Sequence, residues 1–204
     1  MIKEYKLWAI IPARSGSKRI INKNIHNFCG QPLISWTILN AKKSKFIDEV
    51  FVSTDDLKIA DIAKNYGAEV PFLRPVSISR STSPDYQWVN FTIKKLEKKG
   101  FFFTHFFILR PTSPLRKVST ILRAWEKFQK NKKADSLRAV EICKQHPGKM
   151  WVKSKEFIKP IFSGKKHNQP YYNLQFKSLP KILTQNASLE ISKVKVLNLY
   201  KSIS

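Results

Sequence analysis

The chain has 204 residues, 42% of them apolar, enough for one cored domain. Its 38 Lys plus Arg against 14 Asp plus Glu give a formal charge of +24, which draws polyanions. Two cysteines, Cys29 and Cys143, exclude a disulfide framework or zinc site and read as reduced, partly buried thiols.

The first apolar run, residues 7–11, is bounded by Pro12 and suits a buried strand. It is too short for a signal or membrane segment, so the expectation is a soluble, cytoplasmic protein. Further strands are predicted at Glu49–Ser53 and at residues 104–109, then at Ser136–Ile142 and residues 182–191. Helical patterns fall between them at Leu33–Lys43, 57–66, 85–99 and Val118–Lys130, with Gly67 and Gly100 placed as C-terminal caps. The alternation predicts a mainly parallel sheet with helices on both faces. Ligands of such sheets bind beyond the carboxyl ends of the strands. Three loops should therefore converge on one site: 12–24, 53–56 and 110–116. From Gln145 onward, prolines break the periodicity, which reads as an irregular arm or subunit contact within one domain spanning 1–204. Lysines recur on helix surfaces, such as Lys94-Lys95 and Lys98-Lys99, without interleaved aromatics. That is a solvated basic surface rather than a nucleic-acid stripe, so nucleic acid is not the expected partner.

The loop after the first strand reads Pro12-Ala-Arg-Ser-Gly-Ser-Lys-Arg19, with Lys23-Asn24 close behind. Ser15, Gly16 and Ser17 can turn backbone N–H groups toward an anion. Arg14, Lys18, Arg19 and Lys23 supply the charges a triphosphate needs. The loop lacks the Walker A order, and a merely solvated basic turn is the alternative. Asp55 and Asp56 read as caps of the next helix rather than a catalytic carboxylate pair. His26, His105, His146 and His167 share no metal-ligand spacing and are taken as structural or exposed.

This opening motif resembles that of the acylneuraminate-type cytidylyltransferases. The resemblance continues through Gly30-Gln-Pro-Leu-Ile-Ser-Trp36, Ser53-Thr-Asp-Asp56, Phe72-Leu-Arg-Pro75, Ser83-Pro-Asp85, Leu109-Arg-Pro-Thr-Ser-Pro-Leu-Arg116 and Gln185-Asn-Ala-Ser-Leu-Glu-Ile191. It implies a three-layer α/β/α, Rossmann-like nucleotidyltransferase fold with a mainly parallel sheet. A protruding dimerisation arm at about 142–180 and a homodimer are implied with it. The implied reaction moves CMP from CTP to a nonulosonic sugar acid of sialic, legionaminic or pseudaminic type, releasing pyrophosphate. By resemblance Ala13, Arg14, Ser17, Lys18, Lys23 and Asn24 hold CTP, with Arg14 and Lys23 catalytic. Arg74 and Ser83 flank cytosine and ribose; a surface ion pair and a helix N-cap are their alternative roles. Arg110, Thr112, Ser113 and Arg116 receive the sugar acid, with Lys149 either reaching it from the arm or a plain surface lysine.

Mg²⁺ is the cofactor the family implies, held by an Asp-x-Asp-like motif near the C-terminus. Between Gln145 and Ser204 the acidic side chains are Glu156 and Glu190, so no protein metal ligand is assigned and the C-terminus is read as truncated relative to the family. Many relatives carry Gln at the position of Arg110, and Ser81 stands where they usually have Asp. The alternatives are a weakly active or inactive CTP-binding homologue, a Kdo-type cytidylyltransferase and a basic nucleic-acid-binding protein.

Overall fold

The structure, a computed structural model, describes residues 6–17, 19–166 and 168–203. Lys18 and His167, both singled out above, lie outside the described residues. The chain divides into two compact units: Met1–Arg138 with Ala187–Ser204, and Ala139–Asn186.

In the first unit β1 (Leu7–Pro12) is buried along nearly its whole length, as its unbroken apolar composition requires. β2 (Asn27–Phe28) and β3 (Gln31–Pro32) form a small hairpin. Its two-residue turn puts Cys29 and Gly30 at φ 51° and 88°. That turn leaves the Cys29 thiol exposed rather than partly buried as expected. There follow α1 (Leu33–Lys43), β4 (Glu49–Ser53), α2 (Leu57–Asn65), α3 (Asp85–Lys98), β5 (His105–Leu109), α4 (Val118–Lys130) and the start of β6 (Ser136–Ile142). Gly67 and Gly100 sit at φ 86° and 82° just past α2 and α3, the left-handed position at which glycine ends a helix without steric cost.

β1 runs parallel to both β4 and β5, with Ala9 opposite Val50 on one side and Phe107 on the other. Alternation along β1 therefore feeds two cores. Trp8 and Ile10 join Phe51, Phe106 and Ile108 under Trp88, Val89, Ile93 and Leu96 of α3. Trp8 stacks on Phe103 with centroids 4.1 Å apart and tilts against Phe51 at 4.7 Å. On the opposite face α1 packs on β1 and β4 and against α2 and α4. Trp125 of α4 lies against Phe107 there.

The second unit holds β7 (Trp151–Ser154) and β8 (Phe157–Pro160), an antiparallel hairpin, and the short pair β9 (Lys165–Lys166) and β10 (Gln169–Pro170). His146 is buried there, its Nδ1 accepting from the Gly148 amide at 2.9 Å. Tyr171 packs tightly enough that a Cβ on Gly148 or Gly164 would clash with its side chain. Pro160 and Pro170, two of the prolines that interrupt the sequence pattern, close β8 and β10.

The chain returns to the first unit through β11 (Leu183–Lys193) and ends in α5 (Val194–Tyr200). β11 pairs antiparallel with β5, Ile191 opposite Phe107, completing the sheet order β4-β1-β5-β11-β6. The sheet is thus mixed and mostly parallel, as the alternation predicted. Sequence reading did not register α5, whose Val196 and Leu197 are buried.

Candidate functional site

The carboxyl ends of β1 and β5 open into a cavity of about 210 Å³. The loop that leaves β1 is held in place by hydrogen bonds to fixed neighbours. Ala13 donates its amide to the Ser53 carbonyl at 2.9 Å. Ser15 donates both its N–H and its hydroxyl to the Asp55 carboxylate, each at 2.8 Å. Asn24 is buried and donates its side-chain amide to the Arg14 carbonyl at 2.9 Å. The Arg14 guanidinium reaches the Gly16 carbonyl at 2.8 Å. The Ser15 amide, offered above to an anion, is therefore taken by Asp55. Asp55 and Asp56 also divide their work: Asp56 caps α2 by accepting from the Ile59 amide at 2.9 Å, whereas Asp55 ties the loop.

Arg14, Ser17, Lys23, Asn24, Arg74, Ser83, Arg110 and Thr112 all line the cavity, so most residues singled out in the sequence do meet. Ala13 is fully buried behind the loop. Arg74 is 4% exposed, not a surface residue. Its Nε donates to the Ser79 hydroxyl at 2.9 Å and its guanidinium lies 5.7 Å from the centre of the Trp88 ring. Burial lowers its pKa, with Asp55 opposing that shift. The Ser83 hydroxyl accepts from the Arg80 amide at 3.2 Å and does not cap α3. Proline takes the N-cap position instead, and Asp85 supplies the acidic first turn.

Ser113 and Arg116 do not border the cavity. Arg116 is 7% exposed and faces inward, donating to the carbonyls of Arg110 and Ser188, which fixes the loop 110–116 onto β11. Burial without a carboxylate partner lowers its pKa to about 10. Lys149 belongs to the second unit, where its ammonium donates to the Tyr172 carbonyl at 2.8 Å.

Arg80, Asp85, Trp88 and Ile78 were not assigned roles from the sequence, yet they line the cavity. Among the described residues Asp85 is the one carboxylate that lines the cavity, which it shares with Arg14, Lys23, Arg74, Arg80 and Arg110. Burial alone would raise its pKa, but hydrogen bonds from Arg110 and Trp88 hold it below the usual carboxylate value. Arg110 is raised in turn: burial opposes its charge, and Asp85 and Glu190 restore it. Only their adjacency to Ser83 and the acid at a helix start pointed to such roles in the sequence.

The sequence model described as cytidylyltransferase matches residues 8–195. The chain belongs to the cytidylyltransferase family. It is 43% identical over 121 residues to the CMP-N,N'-diacetyllegionaminic acid synthase of Legionella pneumophila, covering 59% of this chain and 52% of that protein. It is 40% identical over 133 residues to the pseudaminic acid cytidylyltransferase of Campylobacter jejuni, covering 65% and 57%. The chain thus spans little more than half the length of these relatives. Among solved structures, a CMP:2-keto-3-deoxy-manno-octonic acid synthetase complexed with CTP matches with a TM-score of 0.68. That match is 15% identical and covers 96% of this chain and 77% of the other, so it speaks to the fold.

A cytidylyltransferase raises the question of Mg²⁺, which takes oxygen ligands in near-octahedral geometry. Among the described residues no three His, Cys, Asp or Glu gather as a metal site. Asp85, which lines the cavity, is engaged by Arg110, and behind the lining Glu190 is engaged by Arg110 and Asp55 by Ser15. The described residues alone do not fit the ion.

Proposed function

We propose that the chain binds CTP in this cavity and transfers CMP to a nonulosonic sugar acid. The observation that carries this reading is the gathering of Arg14, Lys23, Arg74, Arg80 and Arg110 around one cavity at the strand ends. Five cations favour a polyphosphate, and a buried arginine beside Ser79 and Trp88 suits a base-binding end. The anomeric hydroxyl of the acid attacks the α-phosphorus and gives up its proton to water; the new O–P bond forms as the bond to the bridging β-phosphate oxygen breaks and pyrophosphate departs. Arg14 and Lys23 neutralise the charge that builds on the phosphates, and the fixed loop aligns them. Thr112 offers a hydroxyl to the acceptor. The Arg110 Nη groups already meet Asp85 and Glu190, so the acceptor's carboxylate needs a different or shared partner.

The matched legionaminic acid synthase and pseudaminic acid cytidylyltransferase support an acceptor of the legionaminic or pseudaminic type. Mg²⁺ is the cofactor we expect with CTP, and the roles above are assigned to the chain's own residues without it. No helix among the described residues is long and apolar enough to cross a membrane. We place the protein in the cytoplasm, where CTP is made. A homodimer through the second unit is supported by Trp151, Val152, Phe157 and Ile158, exposed by 43, 51, 74 and 62% on one small hairpin.

Pyrophosphate release from CTP should be followed with Mg²⁺ and sialic, legionaminic or pseudaminic acid in turn. Release with at least one acid is expected. Saturable CTP binding without release from any would overturn the transferase reading and leave a nucleotide-binding protein. Affinity for DNA that falls steeply with salt, with no preference for CTP, would favour the nucleic-acid alternative.

A further inference from the structure

The phosphate chemistry above makes no use of Asp85. Its carboxylate is clamped by the Arg110 guanidinium, with Nη2 donating to Oδ2 at 2.5 Å and Nη1 near Oδ1 at 3.4 Å. The Trp88 indole N–H donates to Oδ1 at 2.8 Å. Arg110 is anchored in turn by Glu190, whose Oε1 accepts from Nη2 at 2.9 Å. The side chains become more buried along this chain of contacts: 40% exposed at Asp85, 19% at Arg110 and 4% at Glu190. The clamp is fixed at its buried end and open where Asp85 borders the cavity.

An ionised carboxylate only accepts hydrogen bonds and repels phosphate oxygens. CTP offers donors in two places, the amino group of the base and the hydroxyls of the ribose. A carboxylate placed among five cations therefore orients the ligand: it turns the triphosphate toward Arg14 and Lys23 and keeps the nucleoside beside itself.

On the CTP-binding reading above, we propose that Asp85 is a specificity-determining residue that accepts a hydrogen bond from a donor group of the nucleoside. Glu190 is the positioning residue, acting on Asp85 through Arg110. Neither role follows from the basic loop.

The test measures the dissociation constants of CTP, UTP, 2'-deoxy-CTP and tripolyphosphate for the wild-type chain, Asp85→Asn and Glu190→Gln. UTP lacks the amino donor, deoxy-CTP lacks a ribose hydroxyl, and tripolyphosphate lacks the nucleoside. The wild type should favour CTP over one or both analogues. In Asp85→Asn, which keeps the side-chain shape, that preference should shrink by about tenfold or more. Tripolyphosphate should bind as before, within about twofold, or more tightly once the negative charge is gone. The preference that shrinks names the donor, base or ribose. Glu190→Gln should shift the same ratio in the same direction, whereas a purely structural role would weaken all four ligands alike.

Unchanged ratios in a folded Asp85→Asn protein overturn the inference while leaving the CTP reading intact. If Asp85→Asn fails to fold, unchanged ratios in Glu190→Gln overturn it instead. A wild type that binds CTP no better than either analogue also overturns it. A wild type that binds no nucleotide sinks the functional reading and the inference together.

Discussion

Asp85 is held ionised by Arg110 and Trp88 against the cost of its burial, and this gives its contribution to stability a definite pH dependence. A carboxylate with a depressed folded pKa contributes stability above its unfolded value, about 3.9, and loses it as pH falls through the folded value. The stability difference between wild type and Asp85→Asn should accordingly hold steady from neutral pH to about pH 5 and close below about pH 4. Urea unfolding across that range measures it, and a gap that persists at strong acidity would contradict the assignment. Such a residue was hard to find in the sequence. An aspartate in the first turn of a helix has an ordinary explanation in the helix dipole, and nothing local announces an arginine from the loop after β5, 25 positions later.

The loop after β1 illustrates what an element takes from its neighbours. Its basic residues and its place after a buried strand were legible because charge and periodicity are local properties. Its anchoring was not, because Asp55 lies 40 positions from Ser15 and reads locally as half of a helix-capping pair. Removing the Asp55 carboxylate frees the Ser15 amide and hydroxyl, loosening the segment that presents Arg14. Asp55→Ala should weaken CTP binding by about tenfold while costing only about 1–2 kcal/mol of global stability. Titration calorimetry and denaturant melts give the two numbers; a large loss of stability with unaltered affinity would place Asp55 in the scaffold instead. Helices α1 to α4 and strands β1, β4 and β5 followed the sequence closely, since long apolar faces and glycine stops leave little choice, whereas α5 and the β2–β3 hairpin were too short to announce themselves. The hairpins of the second unit were missed because strands of two to four residues carry no readable period.

For the molecule as a whole, the second unit presents apolar side chains on β7 and β8 that a solitary chain would leave in water. Phe157, 74% exposed, is a suitable probe. Sedimentation should report a dimer for the wild type and a predominantly monomeric Phe157→Asp, with the unfolding of the first unit unaltered. A wild-type monomer at high concentration would overturn the pairing. The charge of +24 belongs to this scale too. It is spread over helix surfaces and was a poor guide to the site, where Arg14, Lys23, Arg74, Arg80 and Arg110 share one cavity with Asp85.

The Arg110 clamp also restricts the order in which its members can be replaced. Replacing Arg110 alone removes the hydrogen bond to Glu190 Oε1 and leaves this 3% exposed carboxylate with the longer Arg138 ion pair, 3.8 Å from its Oε2, to balance it. Making Glu190 neutral first leaves only the more exposed Asp85 to be balanced. The route by which another side chain could come to occupy position 110 thus begins eighty residues away, on β11.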